Sequence, residues 1–467
     1  MRIRFSMSSF NRARIRPVSG GFAVAITLAV LTASGDPASA RTLVTLAGAT
    51  PGDTFGGAVA AAGDLNGDGC NDLIVGAYQC DARGLDAGRA YVYFGGRTVD
   101  AKPDLYLTGE APGDLFGVSV ASAGDLNRDG FPDLIVGAHE NDAMGANAGR
   151  AYIYFGGPAA DSRADVVLSG DAVGDAFGYS VASAGDVNGD GNADVIVGAY
   201  ENSAKAGGTG RAYVFFGGAS MDNSPDLVLT GAAAGDYFGV SVASAGDLNG
   251  DKFGDLIVGA YQNDAAGRDA GRAYVFLGGP HPDDRPDLIL AGAAAGDAFG
   301  FSVATAGDVN KDGFGDVIVG AYHNDAGGLD AGRAYVYFGA ARPDARADLI
   351  LTGDGPGDAF GFSVAFAGDV NGDGYSDVIA GAYGNDAGGS AAGRSYVYFG
   401  GTAPDPVSDF TVTGEATLDN LGYAVAGALD LDGDGFGDVA VTAPFGDAGR
   451  VYLCSPMGGK QKPVAGR

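Results

Sequence analysis

Nine-residue segments of the form Asp-x-Asn-x-Asp-x-x-x-Asp recur seven times in this chain at an unbroken spacing of 61 residues, with Asp432 replacing the Asn in the last copy. Oxygen-bearing side chains at positions 1, 3, 5 and 9 of a tight loop, with the carbonyl of position 7, make the donor set of a hard divalent cation. Ca²⁺ takes six to eight oxygens at about 2.3–2.6 Å from a flexible loop. The first loop offers Asp64, Asn66, Asp68, the carbonyl of Cys70, and Asp72, and Gly69 at position 6 permits the sharp turn that faces both arms inward. The next three offer Asp125, Asn127, Asp129, Asp133; Asp186, Asn188, Asp190, Asp194; and Asp247, Asn249, Asp251, Asp255. The last three offer Asp308, Asn310, Asp312, Asp316; Asp369, Asn371, Asp373, Asp377; and Asp430, Asp432, Asp434, Asp438. Mg²⁺ suits such loops less, because it demands strict octahedral geometry and keeps its waters. Zn²⁺ lacks the His and Cys it favours.

The loops are unequal. Lys252 replaces the position-6 glycine of the fourth, which is therefore expected to bind weakest or not at all. Arg128 and Lys311 stand at position 4, where side chains are expected to point outward and lower the affinity of their own loops only modestly. The seventh loop, with four carboxylates, is expected to bind tightest. Together the loops hold 22 Asp against these three basic residues, a net −19. That much like charge in tight turns repels itself unless cations occupy it; bare solvated acidic turns are the alternative. The expectation is up to seven Ca²⁺ ions per chain.

Elements of one size must position these loops. In the fifth repeat, Phe299–Gly307 leads into the loop, and Val317–Tyr322 is an apolar β-branched run. Arg333–Gly339 then alternates aromatic and small residues, and Asp348–Thr352 closes the unit. Four short strand candidates are thus separated by Gly, Asp, Asn and Pro clusters, with no sustained helical period. Four-stranded units in radial repetition are the blades of a propeller. Residues 42–47 match the fourth strand of later repeats, whereas the seventh repeat stops after three. The fold expected is all-β: a seven-bladed β-propeller of four-stranded blades, closed by an N-terminal strand that completes the last blade.

Composition narrows the functions. A formal charge of −30 argues against nucleic acid or anionic membrane as partner, since both need a basic surface. Residues 1–40 hold five arginines, a short apolar run from Phe22 to Ala33 and Ala38-Ser39-Ala40, which reads as a secretory signal peptide cleaved after Ala40. The expected organisation is signal peptide 1–40, propeller 41–457 and a disordered tail 458–467. The run is too short to span a bilayer, and no other candidate span occurs. Cys70 and Cys80 are too far apart along the predicted strand for a disulfide, Cys454 is in the last repeat, and no structural disulfide is expected.

With these loops and strands side by side, the chain resembles the FG-GAP repeat family and the integrin α-subunit propeller built from it. Phe-Gly opens the first strand at Phe55, Phe116, Phe177, Phe238, Phe299 and Phe360, with Leu421-Gly422 in the seventh repeat. Gly-Ala-Tyr recurs at Gly76–Tyr78 and its equivalents, as Gly-Ala-His at His139 and Thr-Ala-Pro at Pro444. The resemblance implies calcium on one face and ligand recognition on the other. Integrins carry metal loops in only some blades, and their leg domains and membrane span find no counterpart in this sequence. A free-standing, monomeric, secreted propeller is therefore expected, at the cell surface or in the extracellular milieu, with a protein or glycan ligand.

An Arg begins the third strand of every repeat (Arg89 to Arg450) and an Asp precedes every first strand (Asp53 to Asp419). Both sets fall opposite the acidic loops, with a salt-bridge or turn-capping role expected and a charged ligand ring as the alternative. Tyr78, Tyr200, Tyr261, Tyr322, Tyr383 and His139 end the second strands on that face, either packed under the following loop or offered to a partner. The three histidines sit in different repeats and no nucleophile motif, phosphate loop or redox cysteine pair occurs. A binding module for adhesion or protein recognition is expected, not an enzyme; a secreted hydrolase or lyase with its site in the central depression is the alternative.

Overall fold

Small residues dominate the first strand of each repeat because seven such strands must crowd around one axis. In the computed structural model, which describes residues 41–203, 207–219 and 221–455, that strand runs Phe55–Gly63 in the first blade. Asp72–Ala77, Arg89–Tyr93 and Leu105–Thr108 follow outward in antiparallel order. Among the described residues, 28 strands form seven such four-stranded sheets, with no helix. The ring is a seven-bladed β-propeller. The signal peptide, its cleavage site and the tail lie outside the described residues.

The second strand is buried along its whole length in every blade, and its alternation divides it between two cores. Leu73 and Val75 pack toward the seventh blade with Leu431, Val451 and Leu453, whereas Ile74 packs toward the second with Phe116, Leu134 and Val136. Seven clusters of this kind, each shared by two neighbouring blades, are the hydrophobic core, and no blade has one of its own.

Closure is as expected. Arg41–Ala47 pairs antiparallel with Arg450–Ser455, setting Leu46 opposite Val451 with its side chain fully buried. The first and last strands of the described chain thus share the sheet of the seventh blade, and no unpaired stack end remains. All three cysteines are free.

Candidate metal centres and an axial aromatic cavity

Each acidic loop joins the end of a first strand to the start of a second, so all seven emerge on one face. In the first loop, Asp64 accepts the Asp68 N–H at Oδ1 and the Gly69 N–H at Oδ2, both at 2.9 Å. Asn66 Oδ1 accepts the Asp68 N–H at 2.8 Å, and Asp68 Oδ1 accepts the Cys70 N–H at 2.9 Å. These bonds draw side chains 1, 3 and 5 into the hollow of the loop. A carboxylate oxygen has two lone-pair directions, so each retains capacity for a cation. Loops two to six repeat the pattern, including the fourth, where the Lys252 N–H bonds Asp247 Oδ2 at 2.9 Å with Lys252 at φ 75°. Lys252 therefore leaves the loop's shape intact and changes only its charge.

The position-9 aspartates have a second task that the spacing did not reveal. Asp72 is fully buried; its Oδ2 accepts the Leu65 N–H and its Oδ1 the Gly95 N–H, both at 2.8 Å. The carboxylate thereby pins the loop to the exit of the third strand. Burial, reinforced by the neighbouring loop aspartates and only partly offset by those hydrogen bonds, pushes Asp72 to about 7 and Asp438 to about 8. Its equivalents in the other blades rise to about 6 or 7 for the same reason. Burial thus favours the neutral form of seven carboxyls, which a bound cation would favour in the ionised form.

The seventh loop tests the fit to a cation most directly. Asp430, Asp432 and Asp434 bring carboxylate oxygens within 4.8 Å of one another. Asp430 Oδ1 and Asp438 Oδ1 are buried with no hydrogen-bond partner among the described residues. In blades one to six the position-9 Oδ1 meets the N–H of the third-strand exit; the matching place in the seventh repeat is Pro456, which has no N–H to give. Orphaned buried carboxylate oxygens in an all-oxygen cluster suit Ca²⁺. Asp430, Asp432, Asp434 and Asp438 would hold it here.

Arg128 and Lys311 do not point away from the acidic face. Each crosses to the next loop: a Cβ built on Gly191 would lie 3.1 Å from the Arg128 guanidinium, and one on Gly374 only 2.6 Å from Lys311 Nζ. Lys311 also lies 5.1 Å from the Tyr375 ring centroid. Burial raises Asp190, but hydrogen bonds from Asn192 and Asn188 and the Arg128 charge outweigh it and leave its carboxyl below the usual value.

On the opposite face a cavity of about 530 Å³ opens around the axis, lined among others by Tyr78, His139, Tyr179, Tyr200, Phe301 and Tyr423. Its rings touch in sequence: Tyr179 to Tyr200 at 4.4 Å, Phe301 to Phe362 at 4.9 Å and Phe362 to Tyr423 at 5.1 Å between centroids. Tyr78, His139 and Tyr200 therefore face a shared hollow, whereas Tyr261 and Tyr322 pack against Phe301 and Tyr383 against Phe362. Burial holds His139 down to about 4, so it is neutral at physiological pH, and Glu140 beside it is raised by burial and by nearby acids. Tyr179, Phe301, Phe362 and Tyr423 escaped the sequence reading. They follow the Phe-Gly pair directly, where the repeats also hold Gly57, Val118 and Val240, and this inconstancy hid an axial position.

The Asp and Arg rings both make structural contacts. Asp114 Oδ2 accepts the Ala111 N–H and the Asn141 amide, both at 2.9 Å, capping a turn, and Asp175, Asp236, Asp297, Asp358 and Asp419 repeat the turn cap. The arginines pair elsewhere: Arg150 with Glu110 at 2.8 Å and Arg394 with Asp354 at 3.2 Å.

The Phe-Gly and Gly-Ala elements have one physical cause. Gly117 adopts φ 86° and turns its carbonyl onto the Cα of Gly76 in the preceding blade, where any Cβ would overlap it. Gly137 meets Gly178, Gly198 meets Gly239, and so on to Gly381 and Gly422. Only at the closing junction does Thr442 face Gly56. The family profile described as FG-GAP repeat matches residues 55–93, 116–154, 177–215, 238–276, 299–337, 360–398 and 421–454, more than half of the chain. The chain belongs to the FG-GAP repeat family. As an FG-GAP propeller it is similar to integrin alpha-5 of Xenopus laevis, 34% identical over 226 residues that cover 45% of this chain and 20% of that protein. Integrin alpha-IIb of Homo sapiens is 39% identical over 165 residues, covering 33% of this chain and 16% of the relative. This FG-GAP chain thus matches a fifth or less of either relative's length. The crystal structure of BBS1N in complex with ARL6DN superposes with a TM-score of 0.52 over 92% of this chain and 98% of that one, at 11% identity, which speaks to fold alone.

Proposed function

We propose that this propeller is a secreted, calcium-stabilised binding module, acting in cell adhesion or protein recognition, that grips an extracellular protein or glycan on the face opposite its metal loops. The observation that carries this reading is the division of labour between faces: seven oxygen-lined loops on one, an aromatic cavity with half-buried Glu140 on the other. Its similarity to integrin alpha chains supports the same assignment. Calcium would rigidify the loops, which brace neighbouring blades and so hold the cavity in shape. The seventh site is the tightest and the fourth the weakest, because Lys252 adds a positive charge beside its ligands. Affinities fall on the order of 10⁻⁴–10⁻³ M, as in other extracellular modules. The work of the module is recognition, with no catalytic step.

The test is capture of extracellular protein and glycan ligands on immobilised wild-type and variant protein in millimolar calcium. Tyr200→Ala with Glu201→Lys, at the cavity, is expected to weaken capture about tenfold or more while leaving the melting temperature within a few degrees. Lys252→Gln, on the metal face, is expected to keep capture. Equal capture by both variants would remove the cavity from recognition.

A further inference from the structure

Position 4 of every acidic loop is left-handed: Gly67, Gly189, Gly250, Gly372 and Gly433 have φ between 70° and 79°, and Arg128 and Lys311 both sit at 59°. A side chain leaving the backbone there is turned out of its own loop and toward the next blade. The glycine loops show the same direction from the other side. Phe131, at position 7 of loop two, packs over Gly67 of loop one; Phe253 covers Gly189, Phe314 covers Gly250 and Phe436 covers Gly372. Each loop therefore meets its successor through a fixed pair, position 4 against position 7. Three junctions break the aromatic-on-glycine rule: Cys70 meets Gly433, Tyr375 faces Lys311, and Arg128 reaches loop three, whose position 7 is Asn192.

From this geometry we infer that Arg128 and Lys311 tune the cation sites of the following blades, loops three and six, and leave their own loops two and five unweakened. The inference rests on the reading of the loops as calcium sites. Both cations lie over position 6 of the neighbouring loop, Gly191 and Gly374, whose N–H groups bond Oδ2 of Asp186 and Asp369 at 2.9 Å. A fixed positive charge at that turn opposes a divalent ion held by the same carboxylates. No such charge reaches loop two, since position 4 of loop one is Gly67, nor loop five, since position 4 of loop four is Gly250. The expected cost is about fivefold in affinity at low ionic strength, shrinking as salt screens it.

Tyr375 gives loop six its own reporter, because it is the one tyrosine at position 7 of any loop and Tb³⁺ luminescence is sensitised by a nearby phenol. In a Tb³⁺ titration of the full chain, the emission lost in Tyr375→Phe belongs to loop six. Lys311→Gln, which removes the charge, and Lys311→Gly, which also relieves the left-handed backbone, are both expected to move that component to about fivefold lower Tb³⁺. The shift is expected to persist in an Asp308→Ala background, where loop five is disabled, and to fade in high salt. An unchanged Tyr375-dependent titration in both Lys311 variants, or a shift abolished by Asp308→Ala, overturns the inference while the calcium reading stands. Absence of any Tyr375-dependent emission, together with no heat of calcium binding to the wild type, overturns the calcium reading itself.

Discussion

A chelator is expected to lower the melting temperature of this protein by about 10 °C relative to 5 mM calcium. At a tenfold excess over its dissociation constant, one ion that binds only the native state adds about 1.4 kcal/mol. With one ion in each loop the sum approaches about 10 kcal/mol. Unfolding entropy near the melt is about 0.9 kcal/mol per kelvin for a ring of about 400 residues, which converts that sum to about 10 °C. The effect has a pH arm whose sign follows from the buried position-9 acids. Without metal their folded-state values stand near 6 to 8, above the ordinary carboxylate range. The stability that protonation lends is fully present below about pH 4 and is lost as pH rises through those values. Metal-free protein is therefore less stable at pH 8 than at pH 5, and the gap between chelator and calcium melts widens in the same direction. Differential scanning calorimetry with and without chelator at both pH values checks this; curves that coincide at pH 8 contradict it.

Gly198→Ala is expected to destabilise the protein by more than about 3 kcal/mol, enough to prevent folding of the metal-free form. The added Cβ would overlap the Gly239 carbonyl of the next blade, and backbone on both sides cannot give way without opening the blade interface. Gly401→Ala is the matched control. A Cβ there meets nothing within 4 Å, and its backbone is outside the left-handed region, so a change within about 0.5 kcal/mol is expected. Urea unfolding of both variants in saturating calcium separates the cases. Equal midpoints would mean that the glycine contact across blades has no structural weight.

Much of this molecule was legible because its repeats are so regular. The spacing of Asp64, Asp125 and their successors gave the blade count, and the match of residues 42–47 to later fourth strands gave the closing sheet. What stayed hidden depends on relations between repeats. The reach of Arg128 onto loop three follows from a left-handed φ that residue identity does not announce. The anchoring of Asp72 depends on Gly95, 23 residues further on. Tyr179, Phe301, Phe362 and Tyr423 occupy a position whose residue type changes from blade to blade, so periodicity worked against finding the cavity wall. For the arginine and aspartate rings the sequence left salt bridging and turn capping open, because it does not show which group each side chain meets. Asp114 takes the turn-capping role and Arg150 bonds Glu110, a position filled by alanine in blades one, four and five.

The most direct test is a count of calcium ions bound per chain by calorimetric titration of chelator-stripped protein, repeated with Asp430→Ala. One ion per loop is predicted, the fourth loop filling last, with the tightest class of site missing from the variant. A folded wild type that binds no calcium at millimolar concentration would contradict the account.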